Sequence, residues 1–261
     1  MATTIYTPSM LRGAGTRGVP EIPAGSSFTN TYSMAFDGTD ASISITKTSA
    51  YTTTTLSMWV KTDKVYGVNG ETSVSSNDDT NQGRDFFIGD TPTSTNDAYI
   101  GMWAGAAIRG KVSGGIPVND GDWHHLAWTY DSSAGTSAAI NMYVDGVNQY
   151  SQAANTSWWT REIKYQHFGL PKVSDSYFEG NMDEVSIWGT ALSAADVLTL
   201  YNSGVPSDLS SALSSTPDGW WRMGDGATFS TNWTIPDDST NSNSGTSANM
   251  DSADREEDVP S

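Results

Sequence analysis

The sequence predicts an all-β protein, an antiparallel sandwich of two sheets with one short helix, and three observations favour this class. Short apolar segments that alternate with polar residues recur along the chain, for example residues 56–61 and 140–144. Turn-forming residues separate them, and Asp145-Gly146 is a dipeptide that tight hairpins favour. Ten Trp, eleven Tyr and seven Phe supply large side chains for the space between two sheets. The 261 residues suffice for one large sandwich.

One segment carries the start and stop signals of a helix. Ser193 is suited to cap the first turn, and Asp196, three residues later, completes a capping box. Gly204 is suited to end the helix, because glycine readily adopts the left-handed conformation found there. We therefore predict a helix near residues 193–203.

The composition excludes some classes of partner. The net charge is −17, and the 13 basic residues are too few for a protein that must neutralise nucleic-acid phosphates. No apolar run approaches the length of a membrane span. The chain has no Cys, so disulfides and thiolate metal sites do not contribute. The first residues lack a charged and apolar leader, so we expect synthesis in a cytoplasm without export.

The two ends of the chain differ from the part between them. Residues 1–30 are rich in Gly and Pro and predict an extended arm, which is either a frayed terminus or a segment that docks on a partner. The residues of the arm suited to such docking are Leu11, Arg12, Arg17 and Ile22. Residues 251–261 predict an acidic, mobile tail.

Five motifs resemble, in their order and spacing, the laminin-G-like, concanavalin A-like lectin and glucanase jelly-roll domains. They occupy residues 34–40, 56–60, 121–127, 142–146 and 178–185. The resemblance implies a jelly-roll sandwich over residues 31–250, in which the strand after Gly121 neighbours the hairpin around Asp145. It also implies that Trp123 and Trp128 belong to the core, and that His124 and His125 are structural strand residues.

Residues 205–250 depart from the usual order of this family. The motif Gly219-Trp220-Trp221-Arg222 looks like the segment that normally opens such a domain, but here it follows the predicted helix. A remnant of this length would bury too little surface to fold alone. We therefore expect residues 205–250 to complete the sandwich, either in the same chain or on a neighbouring subunit.

Glycosidase chemistry is not predicted, whereas a structural ion is one of two open interpretations. Glucanases of this family present their carboxylates as Glu-x-Asp-x-x-Glu on one strand, and no Glu of this chain begins that motif. We therefore predict a protein that is not an enzyme. The resemblance implies a structural Ca²⁺, with Asp37 and Asp183 at the matching positions. The alternative is that both residues form turns without a metal.

Sugar binding requires aromatic rings with polar neighbours in an open groove. Trp158 and Trp159 lie in a stretch flanked by Ser and Thr, outside the predicted strands, and are the candidate sugar-binding residues. Since neighbouring residues of a strand face opposite ways, at most one of them would be buried. The alternative is that they pack against the arm or another subunit.

The N-terminus, rich in Ser, Thr, Gly and Pro and without a leader, and the motif Trp-Trp-Arg-Met-Gly-Asp at residues 220–225 also resemble structural proteins of tailed marine bacteriophages. Because the sequence resembles a lectin-type scaffold and has no catalytic motif, we predict a protein on the virion surface. It would be either a capsid decoration or a fibre-associated module. Its expected partners are capsid, fibre or tail proteins, or further copies of itself. The alternative function is a lectin-like module that recognises host-surface glycans. Neither nucleic acid nor a membrane is an expected partner.

Overall fold

The computed structural model describes residues 28–45, 50–65, 71–76, 84–90, 98–104, 107–112, 115–131, 133, 138–153, 165, 167–171 and 177–261. Within these ranges the chain forms two antiparallel sheets that enclose one main hydrophobic core, together with a short α-helix. This architecture confirms the predicted all-β sandwich. No helix among these residues is long and apolar enough to cross a membrane.

The strands vary in length from two to ten residues. In chain order they are β1 (Ser33–Asp37), β2 (Ser42–Ile45), β3 (Thr53–Lys61), β4 (Glu71–Ser76), β5 (Arg84–Asp90), β6 (Ala98–Ala104), β7 (Ala107–Lys111), β8 (Trp123–Asp131), β9 (Ala138–Val144), β10 (Val147–Ala153), β11 (His167–Phe168), β12 (Glu179–Trp188), β13 (Gly219–Trp221), β14 (Thr228–Phe229), β15 (Trp233–Ile235), β16 (Gly245–Ala248) and β17 (Arg255–Glu256). The first sheet has the order β10-β9-β8-β3-β12-β1-β17, with β13 also paired to β12. The second sheet has the order β14-β15-β16-β2-β11-β4-β5-β6-β7.

The main core lies between the two sheets. Leu56, Met58 and Val60 of β3 all point into it, which confirms the face that their alternation predicts. On the next strand, Leu126 is paired with Met58 and faces the same core. Trp128 is also there, fully buried, as the family resemblance implied.

The outer face of the first sheet, which points away from the second sheet, is also covered. A second hydrophobic cluster includes Tyr143 and Trp188 of this sheet, together with Val197 and Leu200 of the helix. Strands β3, β8 and β12 are therefore buried along most of their length on both faces. Consequently, several polar side chains of this outer face are enclosed.

Helix α1 (Ala194–Tyr201) begins as the sequence predicts and ends earlier. Ser193 and Asp196 form the complete predicted capping box. The helix ends at Tyr201, because Asn202 adopts the left-handed conformation with a φ of 45° and caps it. Gly204 closes the short 3₁₀ turn that follows, and not the α-helix itself.

Residues 219–256 pair with strands of the same chain in both sheets. β13 continues the line of β1 along one edge of β12, while β16 pairs with β2 in the second sheet. β17 pairs with β1, and Pro260 is buried. The residues after 250 are thus packed against the sandwich, which differs from the mobile tail expected from their charge. The physical reason is that backbone pairing and side-chain contacts hold the segment despite its acidity.

Candidate functional site

Two adjacent depressions lie beside the C-terminal end of α1. The first has a volume of about 620 Å³ and the second of about 310 Å³. Asn202 and Val205 line the first, whereas Tyr201 and Gly204, from the same short segment, line the second. Ser261 borders both, so the two depressions are neighbours.

The first depression combines an aromatic ring with polar groups. Its lining residues include Phe28, Thr29, Asn30, Thr199, Asn202, Ser207, Asp208 and Ser211. The Phe28 ring stacks on Trp220, with ring centres 6.2 Å apart and planes at 23°. The guanidinium of Arg222 lies 4.5 Å from the centre of the Phe28 ring. Phe28 is half-buried, so these two neighbours hold a partly accessible ring in place.

A buried carboxylate pair lies behind this depression, on β12. Neighbouring residues of a regular strand face opposite sides, but the pairing of β12 with β3 is interrupted between Asp183 and Ser186. Within this bulge Glu184 has a φ of 48°, the left-handed region. The bulge lets Asp183 and Glu184 both reach groups beyond the outer face of the sheet.

Hydrogen bonds tie this carboxylate pair to the wall of the first depression. Asn30 Nδ2 donates to Asp183 Oδ2 at 2.7 Å, and Arg222 Nε donates to Glu184 Oε1 at 3.0 Å. Arg222 Nη2 also donates to the carbonyl oxygen of Thr29 at 2.6 Å. The segment around residues 28–31 is thereby fixed on the sheet by charged groups as well as by packing.

Burial dominates the electrostatics of the pair. Burial, together with the charge of Glu184, raises the pKa of Asp183 well above its ordinary value, although bonds from Asn30 and a backbone N–H oppose the shift. Burial also raises the pKa of Glu184 to about 7, against the lowering effect of Arg222 and Trp220. Glu184 is the member of the pair with a cation in contact, the Arg222 guanidinium at 3.0 Å, and this contact favours its ionised form.

The second depression has two aromatic residues and two carboxylates. Its lining includes Asp122, Trp123, Asp145 and Tyr201. Trp123 Nε1 donates to Asp258 Oδ1 at 2.9 Å, which fixes the edge of the indole ring. Trp123 is half-buried at the rim of this depression and does not belong to the core, in contrast to the expectation from the family resemblance. It stands at the first position of β8, where the sandwich ends.

A histidine is held between two carboxylates next to the second depression. His124 Nδ1 lies 2.8 Å from Asp145 Oδ2, and His124 Nε2 lies 3.1 Å from Asp120 Oδ1. Burial lowers the pKa of His124, but the hydrogen bonds and charges of Asp145 and Asp120 outweigh it and raise that pKa. The adjacent His125 is buried and contacts Ser57 Oγ at 2.8 Å, so both histidines have structural positions.

The two residues predicted to hold Ca²⁺ are not brought together. Asp37 is paired with Glu179 at one end of β12, and Asp183 is four positions along that strand, about 13 Å away at the usual rise. Asp37 Oδ1 already accepts three backbone N–H groups, those of residues 39–41. Asp183 is enclosed beside Asn30. The carboxylates of Asp37 and Asp183 therefore do not form a calcium site together. Within the described ranges, no cluster of three or more His, Asp or Glu could hold a metal ion.

The other predicted site residues lie outside the described residues. They are Trp158 and Trp159, the candidate sugar platform, and Leu11, Arg12, Arg17 and Ile22 of the arm. The residues that build the two depressions were not predicted as site residues. Asp122, Trp123 and Asp145 stood in the motifs as strand and turn residues, and Phe28 and Asn30 fell in the expected arm.

The two antiparallel sheets and the short helix define a β-sandwich of the jelly-roll type. The sequence model of the concanavalin A-like lectin/glucanases superfamily, in its laminin G form, matches residues 37–198. Because this match covers more than half of the chain, the protein belongs to that family. No functionally curated protein matches the sequence.

Solved structures of other proteins share the fold. A protein from Bacteroides ovatus, described as a candidate carbohydrate-binding protein, is 17% identical and superposes with a TM-score of 0.65 over 89% of this chain. The chain spans 62% of the length of that protein. A heptameric SAP-like pentraxin from Limulus polyphemus is 15% identical, with a TM-score of 0.52 over 66% of this chain and 82% of its own. At these identities the likeness concerns the fold alone.

Proposed function

We propose that the protein is a carbohydrate-binding module that holds a sugar unit in the first depression. The observation that carries the proposal is the fixed ring of Phe28 beside amide, hydroxyl and carboxylate side chains in an open depression of about 620 Å³. This volume falls within the range of about 300 to 1,000 Å³ that is usual for small-molecule sites. The lectin-type family supports the same proposal.

The chemistry of the lining suits a saccharide. The face of a sugar ring exposes C–H groups that pack on an aromatic ring, while its hydroxyls need both donors and acceptors. Phe28 supplies the ring, and Asn202, Ser207 and Asp208 supply polar groups. Asp208 is the one charged side chain in the described lining, so the depression suits a neutral sugar unit.

Binding, and not hydrolysis, is proposed because of where the buried carboxylates lie. Asp183 and Glu184 have 0% and 4% of their surface exposed and are adjacent on one strand. Hydrolysis of a glycosidic bond requires two carboxyl groups on either side of the bond, about 5 to 10 Å apart. The enclosed pair holds the wall of the depression instead of facing its opening.

A glycan array with matched variants tests the proposal. Phe28→Ala removes the ring, and we expect it to weaken binding of the preferred glycan by about five- to 150-fold, which corresponds to about 1 to 3 kcal/mol for a stacking aromatic. Phe229→Ala is the control, since it removes an exposed ring that lies on β14 of the other sheet and lines neither depression. If no glycan binds the wild-type protein, or if both variants bind like it, the proposal fails.

Attachment to a virion is a second proposal. It is supported by the net charge of −17, which suits docking on a basic surface. The expected partners are capsid, fibre or tail proteins. The test is cosedimentation with purified particles at increasing salt, where binding should weaken as ionic strength rises. Particles that contain no such polypeptide would exclude this role.

A further inference from the structure

The two depressions lie side by side and differ in how many Asp side chains line them, with Asp208 in the first and Asp122 and Asp145 in the second. Asn202 and Val205 line the first depression, Tyr201 and Gly204 line the second, and Ser261 borders both. A ligand of more than one sugar unit that enters the first depression can therefore extend into the second. The charges of the two depressions decide which units they accept.

Acidic groups dominate the second depression. Asp122 and Asp145 line it, and none of its described lining residues is Lys, Arg or His. The carboxylate of Asp122 is exposed, and it accepts no hydrogen bond from any residue that the structure describes. It is thus available to a ligand without the loss of an internal contact.

The nearby cations are already compensated. Lys61 Nζ lies 2.6 Å from Asp258 Oδ2, the same residue that holds the indole of Trp123. His124 is held between Asp120 and Asp145. Since Asp145 is paired with His124, the uncompensated charge that lines the second depression is that of Asp122, and it favours a positive group on the ligand.

Two fixed aromatic rings complete the second depression. Tyr201 stacks on Trp59, with ring centres 6.0 Å apart and planes at 29°. Trp123 is fixed through its indole N–H. Rings of this kind attract both the C–H groups of a sugar and an ammonium group, since the ring faces carry partial negative charge.

From these contacts we propose that the second depression binds a sugar unit with a free, protonated amino group, while the first binds a neutral unit of the same glycan. This inference rests on the proposed carbohydrate-binding function and names its ligand class. The ammonium donates to the free carboxylate of Asp122 and lies beside Trp123 and Tyr201. An acidic sugar would meet Asp122 and Asp145 without a free cation and is rejected.

The test compares three tetrasaccharides by calorimetry near pH 6, where the amines carry a charge. They are the tetramer of glucosamine, its N-acetylated counterpart and tetragalacturonate. We expect the glucosamine tetramer to bind about fivefold more tightly than the acetylated one, in line with about 1 kcal/mol for an accessible ion pair. Tetragalacturonate should bind most weakly.

Asp122→Asn and Asp40→Asn separate the site from the overall charge of the protein. Both remove one exposed carboxylate, but Asp40 lies in the turn after β1 and lines neither depression. We expect Asp122→Asn to abolish the preference for the amine while binding of the acetylated tetramer persists, and Asp40→Asn to change neither. Unfolding midpoints equal to wild type verify that both variants are folded.

The outcomes distinguish this inference from the function on which it rests. Equal affinity for the acetylated and the free amine overturns the amine preference and leaves carbohydrate binding intact. A preference reduced equally by both variants also overturns it, because overall charge would then be the cause. Binding of none of the three tetramers, combined with a silent glycan array, overturns carbohydrate binding itself.

Discussion

Two acidic clusters of the first sheet differ in how their charges are compensated. Asp183 and Glu184 are enclosed, and among the described residues Arg222 is the cation in contact with them. In the other cluster, His124 lies between Asp120 and Asp145, whose side chains are 46% and 21% exposed. The first cluster loses its water almost completely, whereas the second keeps part of it.

This difference in hydration decides which group changes its pKa. In the enclosed pair the loss of water outweighs the cation, so the pKa of each carboxyl group is raised. In the hydrated cluster the two carboxylates act on the histidine and raise its pKa. Carboxyl groups in one cluster and an imidazole in the other are therefore both expected to bind protons more tightly in the folded state than in the unfolded state.

The largest expected effect comes from removing the cation of the enclosed pair. Arg222→Met keeps the aliphatic stem but leaves Glu184, 3% exposed in its side chain, without its ion pair. We expect a loss of about 3 to 5 kcal/mol in the free energy of unfolding at pH 8, because a buried charge is left unpaired. Urea denaturation measures it, and the loss should be smaller at pH 5, where Glu184 can take up a proton.

Arg255→Met is the matched control for this prediction. Arg255 is exposed and lies over the ring of Tyr32 at 4.5 Å, so its removal should cost roughly 1 kcal/mol or less. Similar losses in both variants would mean that the enclosed pair does not depend on Arg222. Glu184→Gln combined with Arg222→Met should recover part of the loss, because the buried charge is then absent.

The two clusters also differ in how far the sequence predicts them. The motifs placed the strand of His124 beside the hairpin of Asp145, and the pairing of β8 with β9 confirms it. The enclosed pair combines Glu184 with Arg222, which directly follows β13, and Asp183 with Asn30 of the expected arm. Such contacts depend on where distant segments pack, which alternation and local spacing do not report.

Burial of the central strands on both faces explains why their polar residues were not predicted to be buried. Alternation identified the core face of β3, but residues of its other face, such as Ser57 and Trp59, are buried as well. From alternation alone, a polar residue on that face is predicted to be exposed to solvent. The bulge at Glu184 has no local signal either, since a φ of 48° is uncommon for a residue that is not glycine. The polar contacts behind the first depression were therefore not predictable from the sequence.

An intermediate effect is expected when Asp183 is neutralised, because Asp183 is the carboxyl group of the enclosed pair that Arg222 does not contact. The pKa of each carboxyl group of the pair is higher in the folded than in the unfolded protein. The free energy of unfolding therefore falls as pH rises and the groups must ionise inside the folded protein. For Glu184 this window extends from the ordinary value of 4.5 to about 7. We expect Asp183→Asn to raise the free energy of unfolding at pH 8 by on the order of 1 to 3 kcal/mol, and to flatten its fall with pH.

Two features make this substitution suitable. The new amide can donate to Asn30 Oδ1, a buried oxygen that accepts no hydrogen bond from the described residues. Asp237→Asn is the contrasting control, since burial raises the pKa of Asp237 but bonds from backbone N–H groups outweigh it and lower that pKa. That control should lose stability at pH 8. A stabilisation by Asp237→Asn, or a destabilisation by Asp183→Asn, would contradict the assignment of charges.

The smallest effect is expected at the hydrated cluster, where water weakens every charge. The folded-state pKa of His124 is above its unfolded value, so its stabilisation is complete below about pH 6.5 and is lost as pH rises through the folded value. His124→Gln should therefore lower the free energy of unfolding at pH 5 by on the order of 1 kcal/mol, and by less at pH 9. Asp120→Asn, which removes the more exposed and more distant partner, should cause a smaller loss with the same pH dependence. If either variant lost more stability at pH 9 than at pH 5, the His124 imidazole would not be charged between its two carboxylates. The two clusters would then differ only in how deeply they are buried.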